Sequence, residues 1–234
     1  MKYAKINGQK IHASLVNSGD IGTDLWYEEY EVSACVGKYR QYWKYTNDRP
    51  NLPNGYEPES EWHAAWKKAI NDDFCEVICG ENREHRADIK TDKFVIEIQK
   101  SPIDGWAVFE RNKFYKNLTN SRVLWMVNIE KPWSKKRIST ELVFGEKDGR
   151  FIITWKYMWP WVKDISKTTD TLLFLDFNPI KDKVILMWTH NDKFYGKWVL
   201  KDNFFNQYLK SVAKEEYITG KEPFLSVFNE LLSI

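Results

Sequence analysis

Two carboxylates and one amide lie in neighbouring segments of this chain at a spacing that suits metal chemistry. Asp88 lies in one predicted strand, and Glu97 and Gln99 lie in the next. Successive side chains of a strand alternate between its faces, so we expect Glu97 and Gln99 to share a face. A hard dication such as Mg²⁺ prefers oxygen ligands, often carboxylates together with waters and phosphate oxygens. Asp88, Glu97 and the Ile98 carbonyl are therefore candidate ligands for Mg²⁺ or Mn²⁺.

A metal at these residues would favour phosphodiester hydrolysis, because it lowers the pKa of a bound water and polarises the phosphate. Taken alone, Asp88 could be an ordinary turn carboxylate and Glu97 an ordinary surface charge. Glu97, however, lies between Ile96 and Ile98 in a strand that we expect to be nearly buried. An unpaired carboxylate there costs several kcal/mol. This cost favours a metal site for the pair.

The surrounding pattern predicts a helix, three strands, a helix and a strand. Apolar residues recur at helical spacing after Pro58, up to Ile70, with Glu61 at the edge of the apolar stripe. Alternating or apolar runs then predict strands at 74–78, 85–90 and 94–99, a helix over 105–118 and a strand over 122–129. This order predicts a mixed α/β core.

Four pieces of sequence match one nuclease family in order and spacing. They are Glu61 within residues 59–63, Arg86-Ala87-Asp88-Ile89, the run from Ile96 to Ile103, and Glu110-Arg111 with Tyr115. Over residues 59–129 the chain resembles the PD-(D/E)xK nuclease superfamily, and within it the CoiA-like competence proteins. The resemblance implies a restriction-endonuclease-like αβββαβ core and a metal-dependent DNA nuclease. The lack of an apolar membrane span or secretory signal, together with only three cysteines, predicts that the protein is cytoplasmic.

The resemblance also implies roles for the acidic and amide side chains. Asp88 and Glu97 would be catalytic metal ligands, and Glu61 would reach the metal directly or through water. Glu61 could equally be an exposed acid that the helix dipole favours. Gln99 stands where most of the superfamily has lysine, so it can only orient water or donate to a phosphate oxygen. The missing cation could come from elsewhere, and the candidates are Lys67, Lys100 and Lys113.

Residues for nucleic-acid contact fall into two groups. The motif region supplies Arg86, Ser101, Arg111 and Tyr115. Arg111 and Tyr115 are one helical turn apart, so together they could bind a phosphate, stabilise the site or form an ordinary surface pair. A basic run beside Trp133 supplies the second group, Lys135, Lys136 and Arg137. It is typical either of a single-strand binding surface or of a solvated loop.

The sequence predicts that the chain is divided into three segments. Residues 1–56 form a hairpin region with one cysteine, Cys35, so we expect no structural zinc, which needs four ligands. Residues 57–130 form the nuclease core. Residues 131–234 form a strand-and-helix extension packed on the core, with predicted strands at 150–157, 171–177, 183–189 and 194–200 and helices at 203–214 and 225–232. Its many aromatic residues suit core packing or a base-stacking groove.

Composition limits the class of protein. The 234 residues are 43% hydrophobic, and no apolar run approaches the about 18 residues of a membrane span, so we expect a soluble protein. The net charge of +2 does not by itself indicate nucleic-acid binding. Cys75 and Cys79 are expected to be buried thiols, and His63 is expected to be a partner of a carboxylate.

Two other functions remain open for the same sequence. The protein could be an inactive nuclease fold that binds nucleic acid, or a phage or immunity protein with a protein partner. A homodimer is also open.

Overall fold

Strands make up most of the regular structure, and they form two sheets in a mixed α/β chain. The computed structural model describes residues 1–38, 40–47, 50, 59–119, 122–143, 149–177 and 182–232. The chain divides into two units. The first contains residues 1–60 and 76–86, and the second contains residues 61–75 and 87–234.

The first unit is built on a five-stranded antiparallel sheet of order β2-β1-β3-β4-β5. Its strands are β1 (Tyr3–Ile6), β2 (Gln9–His12), β3 (Ile21–Asp24), β4 (Glu31–Val36) and β5 (Gln41–Tyr45), with a 3₁₀ turn at Ala13–Leu15. Ala4, Val32 and Trp43 form its core. The predicted hairpin is present as β4 and β5, whereas β1 to β3 were not predicted, because short strands with mixed polarity give a weak alternation.

The remaining elements run from residue 61 to residue 232. The helices are α1 (Glu61–Lys68), α2 (Gly105–Thr119), α3 (Glu130–Ser134), α4 (Pro160–Ile165), α5 (Lys201–Phe204) and α6 (Glu215–Ile218). The strands are β6 (Cys75–Cys79), β7 (His85–Lys90), β8 (Phe94–Gln99), β9 (Arg122–Asn128), β10 (Ile138–Leu142), β11 (Phe151–Trp155), β12 (Thr171–Asp176), β13 (Lys183–His190) and β14 (Lys193–Leu200). Short 3₁₀ or π segments lie at Asp72–Phe74, Phe205–Leu209, Lys210–Val212 and Phe224–Leu232.

The larger sheet has nine strands in the order β10-β11-β14-β13-β12-β9-β8-β7-β6. Its middle strands, β8, β9 and β12, are parallel to one another, and β7 runs antiparallel to β8 with Ile89 opposite Ile96. Strands covered on both faces must be apolar throughout, and β9 is buried from Val123 to Asn128. The predicted order of helix, three strands, helix and strand is confirmed from α1 to β9.

The C-terminal elements follow the prediction in part. Strands β11 to β14 lie within a few residues of the predicted bounds, and β12 extends the sheet directly beside β9. The segment predicted as a helix at 203–214 is divided into α5, a π segment and a 3₁₀ turn, and the segment predicted at 225–232 is a 3₁₀ helix over Phe224–Leu232. Helices α3 and α4 and strand β10 were not predicted. The predicted boundary at residue 130 lies inside the second unit.

Two further expectations concern the chain ends of the core and its thiols. The end of the predicted hairpin region and the helix start at Pro58 lie largely outside the described residues. Cys75 and Cys79 are buried, as predicted, and Cys35 is half-buried. None of the described helices is long and apolar enough to cross a membrane.

Candidate functional site

Asp88, on β7 of the second unit, is surrounded by hydrogen-bond donors from β8 and α1. Its Oδ2 accepts a hydrogen bond of 2.8 Å from the Ile98 N–H. Its Oδ1 lies 2.8 Å from His63 Nε2 and 3.9 Å from Lys67 Nζ. His63 and Lys67 are four residues apart on α1, so both side chains project from the same face of the helix toward one carboxylate. The predicted role of His63 as a carboxylate partner is confirmed.

The surroundings of Asp88 keep its carboxylate ionised. Burial alone would raise the pKa of Asp88. The charges of His63 and Lys67, together with the Ile98 N–H, outweigh burial and hold this pKa well below its ordinary value. Asp88 is therefore a fixed negative charge near neutral pH.

Glu97, on β8, has an equivalent set of partners on α2. Its side chain is only 1% exposed. Arg111 Nη1 donates to Glu97 Oε2 at 2.7 Å, and the Tyr115 hydroxyl donates to Oε1 at 2.8 Å. Arg111 and Tyr115 are also four residues apart on one helical face. Each carboxylate of the site is thus held by two side chains one turn apart on its own helix.

The pKa of Glu97 moves in the opposite direction to that of Asp88. Burial, with a smaller contribution from the charge of Asp88, raises the pKa of Glu97 to about 7 against the opposing effects of Arg111 and Tyr115. The charge of Asp88 therefore acts on Glu97 across neighbouring strands. Buried acids whose pKa values are driven apart are typical of functional sites, although structural ion pairs show the same effect.

The donor atoms of this site fit a hard dication. An ionised carboxylate offers about four lone-pair positions. The contacts described use two or three of those on Asp88 and two of those on Glu97. The Ile98 carbonyl lies on the same edge of β8 as its N–H, since both backbone groups of one strand residue point to the same neighbour. That edge faces Asp88.

Glu61 and Gln99 are placed differently from these two acids. Glu61 is exposed in the first turn of α1, and the described contacts of Asp88 and Glu97 do not include it. Gln99 ends β8, and its Nε2 donates to the Ser101 carbonyl at 2.8 Å. Ser101 therefore fixes the orientation of the Gln99 amide.

The three lysines considered as replacement cations differ in burial. Lys67 is 5% exposed and lies beside Asp88. Lys100 is exposed at the end of β8. Lys113 is exposed on α2, on a different face from Tyr115. Lys67 is the one of the three whose ammonium the structure places against a candidate ligand.

The remaining predicted nucleic-acid residues lie in other parts of the chain. In the first unit, Arg86 pairs with Glu76 at 2.8 Å and lies over the Trp26 ring. In the second unit, Lys135, Lys136 and Arg137 are exposed in the turn that follows α3. They are not among the described partners of Asp88 or Glu97.

The sequence did not indicate a second buried carboxylate that contacts α1. Asp176, at the end of β12, is fully buried, and its Oδ2 accepts from Trp62 Nε1 at 2.8 Å and Trp66 Nε1 at 3.0 Å. Lys201 Nζ lies 3.0 Å from Asp176 Oδ1. The spacing of the two tryptophans was a usable signal, because a buried indole N–H needs an acceptor. Comparisons with protein-family models, curated proteins and solved structures find no match to this chain.

Proposed function

We propose that this protein is a divalent-metal-dependent nuclease of the PD-(D/E)xK type, related to the CoiA-like proteins, that hydrolyses phosphodiester bonds in DNA. One observation carries this function. Asp88 and Glu97 lie on adjacent antiparallel strands, and the charge of Asp88 helps to raise the pKa of the buried Glu97. Two neighbouring carboxylates of this kind are a usual way to bind a hard dication.

The arrangement of the elements supports the same function. The order from α1 to β9 follows the αβββαβ order of the superfamily, and β8 and β9 are parallel. The motif residues fall on the elements that the resemblance requires, with Asp88 on β7, Glu97 and Gln99 on β8, and Arg111 with Tyr115 on α2.

Asp88, Glu97 and the Ile98 carbonyl are the proposed ligands for Mg²⁺ or Mn²⁺. Glu61 would contribute only through water, because it is exposed and lies two residues from His63, on a different face of α1. A bound dication supplies a water of lowered pKa and neutralises charge on the scissile phosphate.

The other residues of the site orient the ligands and the substrate. His63 and Lys67 fix Asp88, and Arg111 and Tyr115 fix Glu97. Outer partners of this kind set the orientation and the basicity of ligands. Gln99, held by Ser101, is proposed to position the attacking water or donate to a phosphate oxygen. Lys67 supplies the positive charge that position 99 lacks.

One feature favours a second candidate, an inactive nuclease fold that binds nucleic acid or a protein. The two carboxylates already face two basic side chains, Lys67 and Arg111. The charge of the site is therefore balanced by the protein itself. A site that has become purely structural would have this balance.

Cleavage assays separate the two candidates. The protein is incubated with single-stranded, linear duplex and circular DNA, each with Mg²⁺, Mn²⁺ or a chelator. We expect cleavage with metal and none with chelator, and we expect Glu97→Gln to remove it. Absence of cleavage with every DNA and both metals would overturn the nuclease function. DNA binding by the parent protein without cleavage under any of these conditions would instead support the second candidate.

A further inference from the structure

Two adjacent turns of the second unit present an exposed tyrosine among cations. One turn follows α3 and contains Lys135, Lys136 and Arg137, and the other follows β11 and contains Lys156 and Tyr157. Strands β10 and β11 pair antiparallel next to these turns, with Ile138 opposite Trp155. The Lys156 N–H donates to the Arg137 carbonyl at 2.8 Å. We call these five residues, 135–137 and 156–157, the Tyr157 surface.

Tyr157 is not held by core packing. Its side chain is 83% exposed, more than any other large hydrophobic residue in the described part of the chain. Its φ is +60°, in the left-handed region, which is a genuine outlier for a bulky residue. Lys136, in the facing turn, also has a positive φ of 53°. Such backbone conformations persist only where the surrounding structure enforces them, and they cluster at binding and active sites.

The tyrosine ring is contacted by one cation and leaves much of its area to solvent. The Arg137 guanidinium carbon lies 5.7 Å from the centroid of the ring. This distance is within the range of a cation–π contact, which orients the ring and the guanidinium together. An aromatic ring exposed to this degree offers a face for stacking.

The charges around the ring favour an anionic polymer. Lys135, Lys136, Arg137 and Lys156 are all exposed. Within the described residues, no ion pair joins any of these four side chains to a carboxylate. Their charge is therefore available to phosphates, although the net charge of the whole chain is only +2.

We propose that the Tyr157 surface binds single-stranded nucleic acid, with a base stacked on Tyr157 and phosphates on the lysines. Stacking needs an unpaired base, and aromatic rings beside a basic track are the usual design of single-strand binding surfaces. Trp133 lies beside the basic run in the sequence, but its ring packs edge-on against Phe177, with the ring centroids 4.3 Å apart. Tyr157, which is not in the basic run, therefore takes the stacking role.

The surface would hold the strand that the candidate site cleaves, and that role rests on the proposed nuclease function. Binding itself needs neither metal nor Glu97, because none of the five residues contacts Asp88 or Glu97 among the described interactions. Binding and cleavage can therefore fail separately.

Fluorescence anisotropy with a labelled single-stranded oligonucleotide, in chelator, tests the surface in the full chain. We expect tighter binding of the single strand than of its duplex, and about a tenfold loss in Tyr157→Ala, in keeping with the usual effect of losing one stacked base. Tyr157→Phe should keep most of the affinity. Trp106→Ala removes another exposed ring, 68% exposed on α2, and should bind like the parent.

The salt dependence gives a second readout. The double variant Lys135→Ala/Lys136→Ala should lower the slope of log affinity against log salt by about 1.4, since each phosphate contact to a single strand contributes about 0.7. Unchanged binding in Tyr157→Ala, a preference for duplex, or no binding at low salt would overturn this surface. Loss of cleavage with intact single-strand binding would overturn only the nuclease function.

Discussion

Helix α1 contacts two buried acidic regions, and they differ in what surrounds the carboxylates. Trp62 and Trp66 donate to Asp176, whereas the next residue along from each, His63 and Lys67, contacts Asp88. Asp176 and Lys201 are both 0% exposed. In the Asp88 region, Asp88 keeps 16% and His63 keeps 19% of its side-chain surface exposed.

The difference indicates which region can do chemistry. Around Asp176, one acid meets one lysine and two indole donors, and aromatic rings such as Phe228 cover the lysine, so solvent and substrate are excluded. Around Asp88 a second acid, Glu97, is added, its pKa is raised to about 7, and part of the cluster reaches solvent. A closed, paired carboxylate fixes a helix. Two acids with opposite pKa shifts, one of them partly exposed to solvent, suit ligand binding.

The largest expected effect is a loss of DNA cleavage in variants of the Asp88 region. Asp88→Ala or Glu97→Ala should abolish metal-dependent cleavage, because each removes a proposed ligand, while unfolding remains cooperative. Glu97→Gln keeps the shape of the side chain and should be equally inactive. Cleavage rates with Mg²⁺ and denaturant unfolding curves measure both properties. The control is Asp170→Asn, an exposed acid paired with Lys116, which should retain activity. If the Asp88 and Glu97 variants cleave at the parental rate, the Asp88 region has no more catalytic role than the Asp176 region.

The second expected effect is a loss of stability when the buried pair of Asp176 and Lys201 is broken. Asp176→Ala should lower the free energy of unfolding by about 3–5 kcal/mol, because it leaves Lys201 buried without its counter-charge. The double variant Asp176→Leu/Lys201→Met should recover part of this loss, since it removes both charges. Denaturant titration of the three proteins measures the effect. A single variant as stable as the parent would show that the pair does not hold α1 in place.

A smaller effect is expected at Gln99. If its amide positions the water or donates to a phosphate, Gln99→Ala should lower turnover by about 10²-fold, the range for losing one transition-state donor. Gln99→Lys should stay active, because lysine occupies this position in most of the superfamily. Single-turnover rates with saturating DNA provide the measurement. Parental turnover in Gln99→Ala would leave Gln99 a structural role only, through its bond to Ser101.

The smallest effect is expected at Lys67. Lys67→Met keeps the length of the side chain and removes the charge beside Asp88, so activity or metal affinity should fall by about 10–100-fold, as for other outer partners of metal ligands. The matched control is Lys68→Met, at the neighbouring exposed position of α1. Equal activity of both variants and the parent would mean that Asp88 does not depend on Lys67. If Lys67→Met lowers turnover more than Gln99→Ala does, then Lys67 on α1 provides the catalytic positive charge.

Regular patterns in the sequence were sufficient for the central part of the fold. The apolar stripe of α1 and the apolar run of β9 extend over enough residues to define their period, and both lie where predicted. Strand β10, with one buried residue in five, has no comparable pattern. Its place is set by pairing with β11, which is a contact between segments and not a local property. Strands β1 to β3 of the first unit were missed for the same reason.

The chemical identity of the candidate site came from the sequence, because Asp88, Glu97 and Gln99 lie close together along the chain and a strand fixes which faces they share. Their partners did not follow from it. Lys67 was one of three candidate lysines until the packing of α1 placed it beside Asp88. Asp176 meets Trp62 from 114 residues away, and Tyr157 meets Arg137 only because β10 pairs with β11. Local periodicity determines elements and faces, whereas partners distant along the chain are decided by tertiary packing, since many pairings satisfy the same local pattern.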